Sequence, residues 1–253
     1  MFQLKKKLGL LRSIAIYYWK PFNERRLMRF YRQFVKPGAL CFDLGAHLGN
    51  RTNAWLKLGA KVVAVEPQPH CMDYMQKRFG NNPNLILEQI AIGEKAGELP
   101  MHISHFNPTV STLADANWRK IIDEDTPYKV TWEETITVKM LTLDQLITKH
   151  GLPAFCKIDV ENYEVEVLQG LSQPLPALSL EYYPATMERA IACLELLEAL
   201  GPYEYNWSYG ESQKLNAPQW ITTQEMKNIL TSIKRGDTYG DFYARLKLQL
   251  KNN

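Results

Sequence analysis

An α/β fold built on a mostly parallel sheet is the architecture this sequence predicts, and three observations predict it. The stretch Ala39-Leu-Cys-Phe-Asp-Leu-Gly-Ala-His-Leu-Gly-Asn50 reads as a buried strand that runs through Asp43, turns at Gly45 and Gly49, and enters a helix. Short apolar runs then alternate with helical patterns, which implies right-handed crossovers and parallel strands. Four of the runs stop in or just after an acid: Asp43, Glu66, Asp159 and Glu181. Ligands bind beyond the carboxyl ends of the strands of such a sheet, so these side chains are expected at one crevice.

Before the central strand, residues 2 to 19 can be drawn as an amphipathic helix with Leu4, Leu8, Leu11, Ala15 and Trp19 on one face and Lys5, Lys6 and Arg12 elsewhere. An apolar stripe seeks cover, so one reading packs this helix on the core or on a second subunit, and the other lays it on an anionic membrane. Pro21 interrupts it, and Asn23 is placed to cap a second, basic helix over residues 24 to 35, which Pro37-Gly38 ends. Residues 1–36 are therefore expected as a helical extension and 37–253 as the main domain.

After the opening strand and the helix bearing Trp55 and Leu58, Lys61-Val-Val-Ala-Val-Glu66 is a second strand. A helix over residues 67 to 79 follows with Pro67 in its first turn, where proline is tolerated. Residues 84–89 form the third strand. Gly93-Glu-Lys-Ala-Gly97 then suggests a hairpin between residues 90–92 and 98–103. Residues 105–134 have no clear period and hold Trp118 and Trp132; a loop of that length is usually functional, and a lid or substrate loop is expected.

Order resumes with the alternating strand 135–140 and a capped helix that begins at Thr142. Pro153-Ala-Phe-Cys-Lys-Ile-Asp159 is the next buried strand, followed by a helix over 161–170 that Gly170 stops. Residues 177–181 form another strand and 186–200 a helix; strands at 203–207 and 241–246, with a helix at 222–233 between them, complete the chain.

With 253 residues, 45% hydrophobic and 23% charged, the composition is that of a soluble globular protein with a substantial core. A net charge of +3 gives no argument for nucleic acid. Cys41, Cys71, Cys156 and Cys193 show no metal-ligand spacing, so reduced core thiols of a cytoplasmic protein are expected. Lys5-Lys-Lys7 before Leu8-Gly-Leu-Leu11 has the start of a signal peptide, but Arg12 interrupts it and no cleavage site follows. Nothing approaches the roughly 20 apolar residues of a spanning helix.

Two ligand classes compete for the Asp43-x-Gly45-x-x-x-Gly49 turn. A dinucleotide site wants Gly-x-Gly-x-x-Gly with an acid about 20 residues on. Glu66 has that offset from Gly45, yet the glycine spacing is wrong and Asp43 stands where dinucleotide folds keep the strand apolar. The turn suits S-adenosylmethionine better: its glycines admit the methionine part, Asp43 serves the ammonium, and Glu66 accepts both ribose hydroxyls.

From about Val35 to Glu181 the chain resembles the FkbM family of class I, S-adenosylmethionine-dependent methyltransferases. The residues that carry the resemblance are Val35-Lys-Pro-Gly38, Asp43-Leu-Gly-Ala-His-Leu-Gly49, Val65-Glu-Pro67, Gln89-Ile-Ala-Ile-Gly93, Ser111-Thr-Leu113 and, most specifically, Lys157-Ile-Asp-Val-Glu-Asn-Tyr-Glu-Val-Glu-Val-Leu-Gln-Gly170. Two positions depart from the family pattern. His47 replaces an Asn, and Asn162 replaces a Gly, for which Asn is the best-tolerated stand-in at positive φ.

The resemblance implies a Rossmann-like, seven-stranded, mostly parallel sheet with its last strand antiparallel, and methyl transfer to an oxygen, often of a sugar, glycan or secondary-metabolite scaffold. It implies cofactor contacts at Asp43, Gly45, Ala46, His47, Gly49, Thr52, Glu66, Pro67, Gln89 and Ala91. Methyl transfer from a sulfonium needs alignment and, for a hydroxyl acceptor, a base. Asp159 or Glu161 is the expected base. His105, Ser111, Lys157, Glu181 and Tyr183 are expected near the acceptor, and Tyr163, Tyr182, Trp207 and Tyr209 are further aromatic candidates. A divalent ion on Asp159, Glu161 and Glu181 is a second, unfavoured hypothesis. The competing function classes are a non-catalytic module attached through its basic N-terminal helices, which would show eroded cofactor motifs, and a nicotinamide oxidoreductase, which the glycine spacing disfavours. Partner contacts with a membrane or a second copy are expected, if anywhere, through residues 2–35.

Overall fold

A computed structural model describes residues 2–19 and 21–247, with side chains from residue 7 onward. The chain begins with α1 (Phe2–Tyr18) and α2 (Asn23–Tyr31), then runs through β1 (Leu40–Leu44), α3 (Asn50–Lys57), β2 (Lys61–Val65), α4 (Pro69–Phe79) and β3 (Leu85–Glu88). It continues with β4 (Ala91–Ile92), β5 (Gly97–Ile103), α5 (Ala116–Asp125), β6 (Glu134–Leu141), α6 (Leu143–His150) and β7 (Phe155–Ile158). The last elements are α7 (Glu164–Gln169), β8 (Ala177–Tyr182), α8 (Met187–Leu200), β9 (Tyr203–Tyr209), α9 (Thr223–Ser232) and β10 (Gly240–Leu246).

The main sheet has seven strands in the order β3-β2-β1-β7-β8-β10-β9. β10, last in the chain, runs antiparallel to β8 and β9, and the remaining neighbours pair in parallel. The expected α/β fold is thus the one observed. Strand periodicity sorts the side chains. Phe42 and Leu44 join a core with Ile158, Leu180 and Phe242 on one face, while Cys41 and Phe155 join Trp55, Tyr31 and Tyr243 on the other. All four cysteines are free and buried.

Several expectations need correction. The hairpin between β4 and β5 does not form, because β6 inserts between them to give a small sheet ordered β4-β6-β5. Turn residues limit where the chain reverses but not which strands then pair. Residues 105–134 are not structureless: Pro108–Val110 makes a 3-10 turn, α5 is capped by Asp115, and Trp118, Ile122 and Val130 share a buried cluster. Asn23 does not cap α2; Phe22 takes that position at φ 61°, and the Asn23 amide donates to the Tyr17 carbonyl. Helix α7 starts three residues later than expected, since Glu161 and Asn162 both adopt left-handed backbone at φ 57° and 69°. Among the described residues of the α1 stripe, Leu8, Leu11 and Trp19 are exposed and Ala15 is half-buried, whereas Gly9 and Ser13 are buried. The side chains of Leu4, Lys5 and Lys6 lie outside the described residues. No described helix is long and apolar enough to cross a membrane.

Candidate active site

Sheet register assembles the charged residues. Asp43 of β1 stands opposite Lys157 of β7, Lys157 opposite Ser179 of β8, and Glu181 of β8 opposite Asp241 of β10. Side chains two residues apart on a strand share a face, so Asp43, Lys157, Asp159, Glu181 and Asp241 all emerge together. The buried Lys157 ammonium lies 2.7 Å from Asp159 Oδ2 and 3.5 Å from Asp241 Oδ1. Burial disfavours its charge, but those two carboxylates outweigh burial and hold the ammonium firmly protonated.

The turn after β1 is pressed against the turn after β7. A Cβ on Gly45, whose φ is 78°, would sit 1.8 Å from the Asp159 carbonyl oxygen, so no side chain fits there. The Gly45 and Ala46 amides donate to the Val65 carbonyl, and Gly49 at φ 73° leads into α3. Asp43 accepts from Thr52 Oγ1 at 2.5 Å, which joins strand and helix beneath the turn. Beside it, Glu66 accepts from the His47 amide at 2.8 Å and the Gln68 amide at 2.9 Å. Burial pushes the Glu66 carboxyl up to about 7 despite those two bonds.

Above these turns opens a cleft of about 810 Å³. Of the expected cofactor residues, Asp43, Gly45, Ala46, His47, Glu66, Pro67 and Ala91 line it. Gly49 and Thr52 sit beneath as supports, and Gln89 is exposed outside it, its place on the wall taken by Ile90 and Ile92. Asp159, Glu161 and Ser111 line the cleft as well. Three buried polar atoms on its wall, His47 Nε2, Asn50 Nδ2 and Gln68 Oε1, have no partner within the described residues. Burial drives the His47 imidazole down to about 3, so it is neutral.

The remaining acceptor candidates divide. Carboxylate oxygens of Asp159, Glu161 and Glu181 all lie within 4.8 Å of one another. Glu181, Tyr182 and Tyr183 line a second, smaller pocket of about 310 Å³ with Trp118, which stands edge-on to Tyr183 at 5.0 Å. His105 is buried away from the cleft with Nε2 3.1 Å from Glu134, and Lys157 is covered by its carboxylate partners. Tyr163 and Trp207 pack against hydrophobic clusters, and Tyr209 is exposed.

Within the acid cluster the groups differ. Burial opposes ionisation of Asp159, but Lys157 and Arg51 overcome it and hold the carboxyl below its usual range, and Glu181 hydrogen-bonds to it. Burial, Asp159 and Glu164 push Glu161 well above the carboxylate range; burial, Asp159 and Glu161 do the same to Glu181. The Lys157 ammonium is the cation beside Asp159, while Glu161 and Glu181 hold their protons more firmly than ordinary carboxyls.

Sequence reasoning missed Tyr17, Arg51 and Gln68, all of which line the cleft. Arg51, paired with Glu211 at 2.8 Å, stands in the first turn of α3, where a helix start faces a ligand, and that position was a usable signal. Tyr17 reaches the cleft from α1 with its ring edge-on to His47, and nothing in the local pattern marks it.

A family model for the methyltransferase FkbM domain matches residues 43–201. The chain is 23% identical over 161 residues to the hexuronic acid methyltransferase AglP of Haloferax volcanii, a match that covers 62% of this chain and 60% of that protein. It is 38% identical over 48 residues to the chloroplastic small-subunit ribosomal RNA methyltransferase of Arabidopsis thaliana, 19% of this chain and 14% of that one. The match thus spans less than two thirds of either relative. Among solved structures, an O-methyltransferase from Bacillus cereus in complex with SAH aligns over 97% of this chain and 90% of that chain, at 11% identity and TM-score 0.47. A TehB-like SAM-dependent methyltransferase from Corynebacterium glutamicum aligns over 94% of both chains at 12% identity and TM-score 0.47.

Proposed function

The chain belongs to the FkbM-domain methyltransferases, and from that premise we propose that its cleft binds S-adenosylmethionine and that it methylates a hydroxyl of a sugar, glycan or secondary-metabolite scaffold. The observation that carries the reading is the Glu66 carboxylate. It is fixed at the end of β2 by two backbone amides, with lone pairs left over for a pair of ribose hydroxyls. The unpartnered polar atoms of His47, Asn50 and Gln68 supply further donors and an acceptor where a polar ligand would meet them. When bound, the donor supplies a methyl group on a sulfonium, open to in-line displacement.

The chain's own residues then have separate tasks. Asp43 and Asp159 line this end of the cleft, where a carboxylate can meet the donor's ammonium, and Glu211 offsets the Arg51 guanidinium that lines it too. Glu161 takes the proton from the acceptor hydroxyl only in its ionised form, which burial and Asp159 disfavour, so turnover rises with pH, and Asp159 stays ionised on Lys157. The acceptor approaches from the Trp118–Tyr183 side, where an aromatic wall adjoins Glu181. The hexuronic acid methyltransferase relative supports a sugar as the acceptor class.

Isothermal titration tests the donor: heat with S-adenosylmethionine and none with NAD is expected, and the reverse would overturn the reading. Asp43→Ala should weaken donor binding by about tenfold or more, the worth of a charge-assisted contact. Glu161→Gln should lower kcat by about 10²-fold or more and leave the donor Kd unchanged. Turnover should survive excess chelator, and its loss would assign the three carboxylates to a divalent ion instead.

A further inference from the structure

Helix α1 lies across the protein with one face engaged and the other bare. On the engaged face Tyr17 lines the cleft, the Tyr18 hydroxyl donates to the Leu48 carbonyl at 2.7 Å, and Gly9 packs against the His105 backbone. Arg78 stacks over the Tyr18 ring at 4.6 Å, and Arg12 reaches out to Asn107 and to the Tyr128 hydroxyl. These contacts fix the helix beside the cleft. The bare face carries Leu8, Leu11, Ile16 and Trp19, and Phe22 continues it past the helix end; five of the eleven exposed large hydrophobics among the described residues fall in this short stretch. Trp19 is 73% and Phe22 70% exposed.

Charge identifies what would cover this face. Residues 1–36 hold ten lysines and arginines against one glutamate, a net +9, whereas the whole chain is +3, so the remainder is −6. Lys7 of α1 and Arg25, Arg29 and Arg32 of α2 are exposed, and the Arg25 guanidinium lies 5.9 Å from the Phe22 ring centre, whereas Arg26 is turned to the Glu211 and Ser212 carbonyls. In a two-fold contact with a second copy, each basic patch would face its own image and repel it. A surface that is apolar below and anionic above complements both features at once.

We infer that α1 and the start of α2 dock the protein onto an anionic membrane surface, with Leu8, Leu11, Trp19 and Phe22 entering the headgroup layer and the arginines of α2 on the phosphates. Because Tyr17 borders the cleft from the opposite face of α1, the docked protein holds its cleft one helix away from the lipid surface.

Flotation of the full chain with vesicles decides it. Partition should be about tenfold or more stronger to phosphatidylcholine with about 30% phosphatidylserine than to phosphatidylcholine alone, and should weaken with salt. A blue shift of tryptophan emission on the anionic vesicles should vanish in Trp19→Phe. The pair Leu11→Gln and Trp19→Gln should cut partition about tenfold with an unchanged unfolding temperature. Absent or lipid-independent partition, partition indifferent to that pair, or a dimer in light scattering that the pair dissociates would each overturn the inference.

Discussion

The Glu66 carboxyl is buried, accepts from two backbone amides and is still pushed up to about 7, because burial outweighs both bonds. Without ligand it therefore holds a proton below about 7. Hydroxyls that donate to it favour the ionised form, so donor binding releases that proton. Affinity for S-adenosylmethionine should accordingly fall by up to about tenfold per pH unit below that point. Titration calorimetry between about pH 5 and 8 should show this slope in the wild type and a flat profile in Glu66→Gln. His47 takes no part in the slope, since burial keeps its ring neutral. Its replacement of the family's Asn costs little at the backbone: at φ 50° its amide still donates to Glu66.

At the scale of elements, the site is the meeting of two turns. The β1–α3 turn needs Gly45 because the Asp159 carbonyl of the β7–α7 turn occupies the space a side chain would take. Gly45→Ala should cost about 2 kcal/mol or more of stability, from the clash and the positive φ together, read by chemical denaturation. The β7–α7 turn carries its own strain, with Glu161 and Asn162 both left-handed, and the Thr112 hydroxyl pins the Glu161 carbonyl at 2.6 Å. Asn at position 162 was legible as a tolerable stand-in for glycine. The second strained residue, Glu161 itself, was not, because glutamate carries no local preference for that conformation.

Across the whole molecule, Lys157 is the electrostatic centre. It joins Asp159, two residues on in sequence, to Asp241, which arrives only because β10 inserts antiparallel between β8 and β9. Lys157→Met should destabilise the fold by about 3 kcal/mol in urea denaturation, since it leaves the buried Asp241 and the half-buried Asp159 without their nearest cation. A loss below about 1 kcal/mol would show that those carboxylates take up protons freely instead.

The order of elements, the parallel core of the sheet, and several of the residues that line the cleft at the strand ends were legible in the sequence. Each is written in local pattern: apolar runs of strand length, glycines at fixed offsets, and acids at strand ends. Tertiary structure alone decided the rest. It put β6 between β4 and β5, sent Gln89 outward while Ile90 and Ile92 took the wall, brought Arg51, Gln68 and Tyr17 into the cleft, and buried His105 beside Glu134. It also left the apolar face of α1 bare beside a basic helix. Periodicity states that a face is apolar, and only the packing of distant elements determines whether anything in the chain covers it.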